Sequence, residues 1–354
     1  MAAAIFGSKR LYLDHLAPLA ALLQIPLIVT ESEIYQLTKK YYPDIDVLLY
    51  EGLAATTAIV ADYEILITTL PCTLLKRMLF FACQALKKEP KMIWIPHGNS
   101  DKGRKKPLME GLGSEETILV YGQKMMDFIE EKGVLEQIPH VHQLGNYRYT
   151  YYLKHKDFYR ELTQKYRSYQ KTILYAPTWE DFESSGTLFN LGREALKKLG
   201  SSHQILIKLH PNTVREKTAE LLQLKTEFPT ATFIEEFPPI YPLCDLADIY
   251  LGDMSSIGYD FLTFQKPLFF LNPHNDDPEK LGLSLHQCGY TISPDQIEEL
   301  PHLIEKKQEE LSDQKQKLYS HTFAKTFDPE NLTAVILNTW DKNLSHSQST
   351  PEEI

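Results

Sequence analysis

The sequence predicts an α/β protein made of two doubly wound parallel-sheet domains that face a central cleft. Short apolar runs alternate with amphipathic stretches, the signature of repeated βα units. The alternation weakens once, over residues 149–170, and then restarts. A length of 354 residues also fits about two domains, at roughly 100–200 residues each. The expected organisation is a first domain over 1–150, a connection over 151–170, a second domain with closing helices over 171–342, and a polar tail over 343–354.

In the first half, strands are expected at 11–13, 27–30, 47–50, 65–68, 92–95 and 118–121, because each is a short apolar run. Between them the apolar spacing changes to that of helices at 16–24, 32–41, 54–60, 74–88 and 123–132. The run Glu64-Ile65-Leu66-Ile67-Thr68 is apolar on both faces, as a strand covered by helices on each side must be. The connection crowds Tyr, Lys and Arg together. After it, strands are expected at 172–176, 205–209, 232–234, 249–252 and 268–271, with helices at 193–199, 214–224 and 257–264. The end reads as helical over 294–319 and 329–341, and 345–354 is a polar segment of the kind that frays.

Composition narrows the class of function. An apolar fraction of 43%, with 16 Phe, 20 Tyr and 3 Trp, supplies a large core and excludes a wholly disordered chain. The net charge of −10 argues against a general nucleic-acid partner, whose phosphates call for a cationic face. Cys72, Cys83, Cys244 and Cys288 show neither a C-x-x-C pair nor zinc-ligand spacing, and read as reduced thiols of a cytoplasmic protein. The apolar start over 1–6 is too short for a leader, and no window approaches the roughly 20 apolar residues of a membrane span. Asn331-Leu332-Thr333 and Asn343-Leu344-Ser345 then match the glycosylation pattern by chance.

In an open α/β sheet, ligands bind outside the carboxyl ends of the strands, so the strand exits carry the candidate chemistry. Pro96-His97-Gly98-Asn99 follows one strand. An imidazole there suits a general base, beside a glycine that lets backbone approach a ligand, or a turn whose His caps a helix. Lys102, Arg104, Lys105 and Lys106 follow, as a solvated loop or an attractor of anions. The exit at 175–181 offers the Thr178 hydroxyl and the broad Trp179 face, for a site or for packing. Lys208 and His210 end the next strand. At Gly252-Asp253-Met254-Ser255-Ser256 an acid and two hydroxyls precede a helix, which suits phosphate binding or an ordinary N-cap.

Taken in order, His97-Gly98, Tyr175-Ala-Pro-Thr-Trp-Glu-Asp181, Lys208-Leu-His-Pro-Asn212, Gly252-Asp-Met-Ser-Ser-Ile-Gly-Tyr-Asp-Phe261 and Lys266-Pro267 resemble the CDP-glycerol glycerophosphotransferases of teichoic-acid synthesis. That family's patterns read approximately HG, APTWRD, LHP, DYSS followed by an acid, and KP. Gly145-Asn146-Tyr147-Arg148 stands where the family tends to have Gly-x-Pro-Arg. The resemblance spans about residues 90–275. It implies a GT-B architecture, two Rossmann-like domains with the donor nucleotide held mainly by the second. By the same match His97 corresponds to the candidate base and His210 to a donor-phosphate histidine. Asp253, Ser255 and Ser256 correspond to the donor-binding turn, with Thr178, Trp179, Lys208 and Asp260 also on the donor side. Glu180, Met254 and the Asn146-Tyr147 pair depart from the family pattern and bear on donor identity.

The expected activity is transfer of glycerol phosphate, or a related polyol phosphate, from a CDP-linked donor to a hydroxyl of a lipid-linked or saccharide acceptor, releasing CMP. His15, between the first strand and first helix, stands where sugar-transferring GT-B enzymes place an acceptor-facing His, so His15 and Arg148 are the acceptor-side alternatives. A nucleotide-sugar glycosyltransferase and a non-catalytic nucleotide- or partner-binding protein are the rival readings. No carboxylate cluster implies a protein-held metal, and no cofactor is expected beyond what a donor could itself bring, such as a loosely bound Mg²⁺. The expected location is cytoplasmic, with peripheral contact at the inner face of the cytoplasmic membrane.

Overall fold

The computed structural model describes residues 2–334 apart from 8, 53, 103–109, 181–185, 280–282, 308–311, 324–325 and 331. Arg104, Lys105, Lys106 and the 343–354 tail therefore lie outside the described residues. In the first lobe the strands are β1 (Ala3–Gly7), β2 (Leu27–Val29), β3 (Val47–Leu49), β4 (Ile65–Thr68), β5 (Lys91–Trp94), β6 (Thr117–Val120) and β7 (His140–Gln143). The helices between them are α1 (Leu13–Leu23), α2 (Ser32–Tyr41), α3 (Ala55–Asp62), α4 (Cys72–Leu86) and α5 (Gln123–Glu131). They form one parallel sheet of order β3-β2-β1-β4-β5-β6-β7.

Two helices, α6 (Tyr147–Lys154) and α7 (Lys156–Thr163), lead into the second lobe. Its strands are β8 (Thr172–Ala176), β9 (Gln204–Lys208), β10 (Thr232–Ile234), β11 (Ile249–Gly252), β12 (Leu268–Leu271) and β13 (Tyr290–Ile292). Its helices are α8 (Leu191–Leu199), α9 (Pro211–Glu216), α10 (Thr218–Glu227), α11 (Tyr241–Leu246), α12 (Ile257–Phe261), α13 (Leu300–Lys306) and α14 (Ser312–Thr322). This second parallel sheet has the order β10-β9-β8-β11-β12-β13.

Several expected elements differ from those found. Residues 11–13 do not form a strand: Arg10–Tyr12 is a 3₁₀ turn that runs straight into α1. The strand is Ala3–Gly7, whose residues from Ala4 onward are buried at the centre of the sheet between β2 and β4. The edge strands β7 and β13 escaped the sequence reading because half-buried runs such as His140-Val141-His142-Gln143 lack a continuous apolar signal. The 214–224 helix is two helices hinged at Lys217, whose backbone leaves the helical region. Likewise the 294–319 stretch begins as a 3₁₀ turn and breaks at Lys307. Beyond it, residues 329–330 and 332–334 are helical.

Most of the 151–170 connection is packed helix, the end of α6 and all of α7, while residues 167–170 are exposed. Tyr147, Tyr151, Tyr152 and Tyr159 are buried, and each such side chain contributes about 1.5–3 kcal/mol by leaving water. The rings of Tyr151, Tyr159 and Tyr152 run in a chain of contacts to Tyr241 of the second lobe, and Tyr147 stacks on Tyr121. Helix α6 lies on α1, α7 lies on α11, and α14 returns to pack on α5. One continuous core cluster accordingly joins the first sheet to the near face of the second, while a separate cluster fills the far face. Among the described residues, no helix is long and apolar enough to cross a membrane.

Candidate functional site

Strand order reverses between β1 and β4 in the first sheet and between β8 and β11 in the second. At such a reversal adjacent connections leave toward opposite faces, which opens a crevice at the carboxyl ends. The exits of the two lobes meet in one cleft of about 640 Å³, within the usual size of a small-molecule site.

On the second-lobe wall, Asp253 ties the two exits of the crevice together. Its Oδ1 accepts from the Thr178 backbone N–H at 2.8 Å and from the Ser255 N–H at 3.2 Å. Its Oδ2 accepts from the Thr187 hydroxyl at 2.8 Å and the Thr187 N–H at 3.2 Å. Burial pushes the Asp253 carboxyl up to about 6, against the pull of these donors. Asp253 is 1% exposed and does not line the cleft. The structure thus makes it a positioning residue for the turn, where the sequence reading had placed it on the donor. Ser255 and Ser256 do line the cleft. No side chain caps the start of α12, so the ordinary N-cap explanation for these serines fails.

Beside that turn, His210 caps α9, its Nδ1 accepting from the Asn212 N–H at 3.1 Å. That bond fixes the ring proton on Nε2. Burial, with Lys208 and Lys102 adding to it, pushes the imidazole down to about 3, so His210 is a neutral donor at pH 7. Trp179 stacks on it with centroids 6.0 Å apart and planes 23° from parallel. Lys208 is lowered to about 8 by burial and by Arg10, and an arriving anion would restore its full charge. Thr178, Trp179, Lys208 and His210 all line the cleft.

Across the cleft, His97 follows β5. Its ring lies 4.9 Å from Tyr12 and 6.4 Å, edge-on, from His15. The His97 side chain is open to the cleft, yet enclosure between the lobes and the Lys9 charge push its pKa down to about 4. Gly98 then turns the chain at φ +129°. Asp101 closes the same loop onto the second lobe: it accepts from Tyr259 Oη at 2.5 Å and from the Leu285 N–H at 3.1 Å. Lys124 of α5 pairs with the same carboxylate at 3.0 Å. Lys102 Nζ, on the first lobe, donates to Thr178 Oγ1 of the second at 2.5 Å. The sequence reading assigned Asp101 and Lys124 no role, and neither sits in a pattern that could have shown one.

His15 and Arg148 reach the cleft but are committed to protein partners. His15 Nδ1 lies 2.5 Å from Tyr121 Oη, and Tyr147 Oη donates to the His15 carbonyl at 2.8 Å. Burial, Arg148 and His97 hold its imidazole well below the ordinary range. The Arg148 guanidinium bonds Asp14 Oδ2 at 3.0 Å and pairs with Asp260 of α12. Asp260, expected at the donor, also borders the cleft, where its buried carboxylate pairs with Arg148. Asn146 caps α6 through Tyr149 N–H and accepts from Tyr241 Oη at 2.6 Å. Lys266 donates to the carbonyls of Asp245 and Ala247 at 2.8 and 2.6 Å, satisfying the end of α11. Among the described residues no group of three or more His, Cys, Asp or Glu stands together as a metal site would.

Residues 140–281 match the family model described as CDP-Glycerol:Poly(glycerophosphate) glycerophosphotransferase. A curated relative, the teichoic acid glycerol-phosphate primase of Bacillus spizizenii, is 29% identical over 125 residues, which is 34% of this chain and 30% of that protein. Among solved structures, the wall teichoic acid polymerase TagF superposes with a TM-score of 0.64 at 16% identity, covering 98% of this chain and 90% of that one. Anabaena Alr3699/HepE, solved with UDP and glucose, superposes with a TM-score of 0.58 at 12% identity over 96% and 99% of the two chains. The chain has the GT-B fold.

Proposed function

We propose, from the premise that residues 140–281 belong to the CDP-glycerol:poly(glycerophosphate) glycerophosphotransferase family, that the chain moves glycerol phosphate or a related polyol phosphate from a CDP-linked donor to an acceptor hydroxyl. The observation that carries this reading is the pair of neutral imidazoles, His97 and His210, on opposite walls of one cleft. The acceptor oxygen attacks the distal phosphorus of the donor, the bond from that phosphorus to the bridging oxygen breaks, and CMP leaves with that oxygen. His97 takes the proton of the acceptor hydroxyl as its oxygen bonds to phosphorus.

The donor side supplies preorganised charge stabilisation. His210 Nε2–H, Lys208, and the Ser255 and Ser256 hydroxyls face the pyrophosphate as negative charge grows on the leaving group. Thr178 and Trp179 bound the same side, and Asp253 holds their loop. The Arg148–Asp260 pair holds the lobes in register at the cleft wall. The acceptor is lipid-linked or a saccharide, met at the inner face of the cytoplasmic membrane. The test is incubation with CDP-glycerol and CDP-ribitol, following CMP by chromatography. Release of CMP with transfer to acceptor is the expected result. The Alr3699/HepE likeness and His15 at the cleft favour a second reading, nucleotide-sugar transfer, which would release a nucleoside diphosphate instead.

A further inference from the structure

Helix α4 buries one face and presents an unusual other. Cys72, Leu75, Leu79 and Ala82 point into the core, whereas Leu74, Met78, Phe80, Phe81 and Leu86 are exposed. Phe81 is 84% exposed. Leu74, Met78 and Phe81 fall at i, i+4 and i+7 and so form one stripe along the helix. Outside α4, the exposed large apolar residues of the described structure are three scattered ones, Leu153, Tyr169 and Leu222. Isolated apolar side chains at a surface are ordinary, but a contiguous set marks an interaction face.

The charge around the stripe selects the partner. Within residues 72–91 stand five cations, Lys76, Arg77, Lys87, Lys88 and Lys91, against the single acid Glu89. The whole chain carries −10, so this concentration of positive charge opposes the general field. Exposed aromatics flanked by Lys and Arg on one convex helix match a surface that is anionic at its headgroups and apolar just beneath. Phe80 and Phe81 stand edge to face at 5.4 Å and both are exposed. The helix also begins at the cleft: Pro71 lines it, and the Cys72 N–H donates to the cleft residue Glu115 at 2.9 Å.

We infer that the outer face of α4 docks the first lobe on an anionic lipid bilayer, which sets the mouth of the cleft beside the membrane. The inference deepens the reading of a lipid-linked acceptor. Because docking needs no donor, its failure and the failure of the transfer reading are separately visible.

The test is sedimentation of the purified chain with vesicles of phosphatidylglycerol and phosphatidylcholine, compared with phosphatidylcholine alone. Binding to the anionic vesicles, weakened by added salt, is expected. Met78→Ser with Phe81→Ser, and separately Lys76→Glu with Arg77→Glu, should each reduce the bound fraction about tenfold. Leu222→Ser, on α10, should not change it. Circular dichroism and CMP release from CDP-glycerol in detergent-free solution check that each variant is folded and active. No binding to anionic vesicles, equal binding by the α4 variants, or a dimer that these substitutions dissolve in light scattering would each overturn the proposal.

Discussion

Gly98 of the first lobe abuts Ser256 of the second: a Cβ built on Gly98 would lie 3.2 Å from both Cβ and Oγ of Ser256. The general-base candidate and the phosphate-facing turn are therefore neighbours across the lobe boundary, and a methyl group at Gly98 would press on Ser256 unless that side chain gave by a few tenths of an ångström. The φ of +129° at Gly98 adds a second constraint, because L side chains rarely adopt it.

Gly98→Ala should consequently cost about 1–3 kcal/mol of stability through backbone strain and lower turnover further by pushing Ser256 outward. Thermal denaturation and CMP release on the same preparation would measure both. A fully active, equally stable alanine variant would contradict the contact.

His97→Ala should leave donor affinity nearly intact and reduce turnover by roughly 10²–10⁴-fold, the usual worth of a positioned general base. Ser255→Ala with Ser256→Ala should show the reverse emphasis, weakening donor binding by about 1–3 kcal/mol, since backbone donors remain. Calorimetric titration with CDP-glycerol separates the two. Undiminished CMP release by His97→Ala would transfer the role of base to His15.

The pH profile carries its own signature. His97 and His210 are depressed to about 4 and about 3, so both stay neutral far below the ordinary histidine range. The acid limb of kcat/KM, which reports the free enzyme, should fall near pH 4 rather than near 6.5. A bound pyrophosphate raises both values, so the limb of kcat should lie at higher pH. Linkage makes these depressed histidines stabilising above pH 6.5, an effect lost progressively as pH falls toward 4. Circular dichroism at each pH separates unfolding from titration.

Arg148→Met removes the cation between Asp14 and Asp260, two carboxyls already raised by burial, Asp14 to about 6. The expected loss is about 3–5 kcal/mol at neutral pH. A carboxyl with a raised pKa favours folding below its unfolded value near 3.8 and loses that contribution as pH rises through its folded value. The deficit of the variant should thus shrink on acidification from pH 7 toward 5, where denaturant melts would record it.

The sheet centres were legible because strands such as Ile65–Thr68 are apolar on both faces and bounded by helical spacing. The exits bearing His97, His210 and Ser255–Ser256 followed from those strands. The partners of Asp253, Arg148 and Asp260 were not legible, since Asp253 meets Thr178 and Thr187 across 75 and 66 residues of chain, and Arg148 meets Asp14 across 134. Sequence spacing carries no record of such meetings. An acid beside a phosphate turn and an acid that braces that turn look alike until the fold brings their donors together. The edge strands β7 and β13 were hidden for a different reason, the weak apolar pattern of a strand paired on one side.

The return of α14 onto α5, with His321 beside Asp127 at 2.9 Å, changes what the peptide link between the lobes is for. Residues 167–171 are all exposed, and Tyr169 is wholly so, so a protease can sever the chain there. The amino-terminal fragment would keep Arg148, Asp101 and α5, and the carboxyl-terminal fragment would keep Asp260, Tyr259 and α14. Every buried pair that joins the lobes would survive the cut. A nicked molecule should elute as a single particle and come apart only in denaturant, behaving as a heterodimer of its own halves.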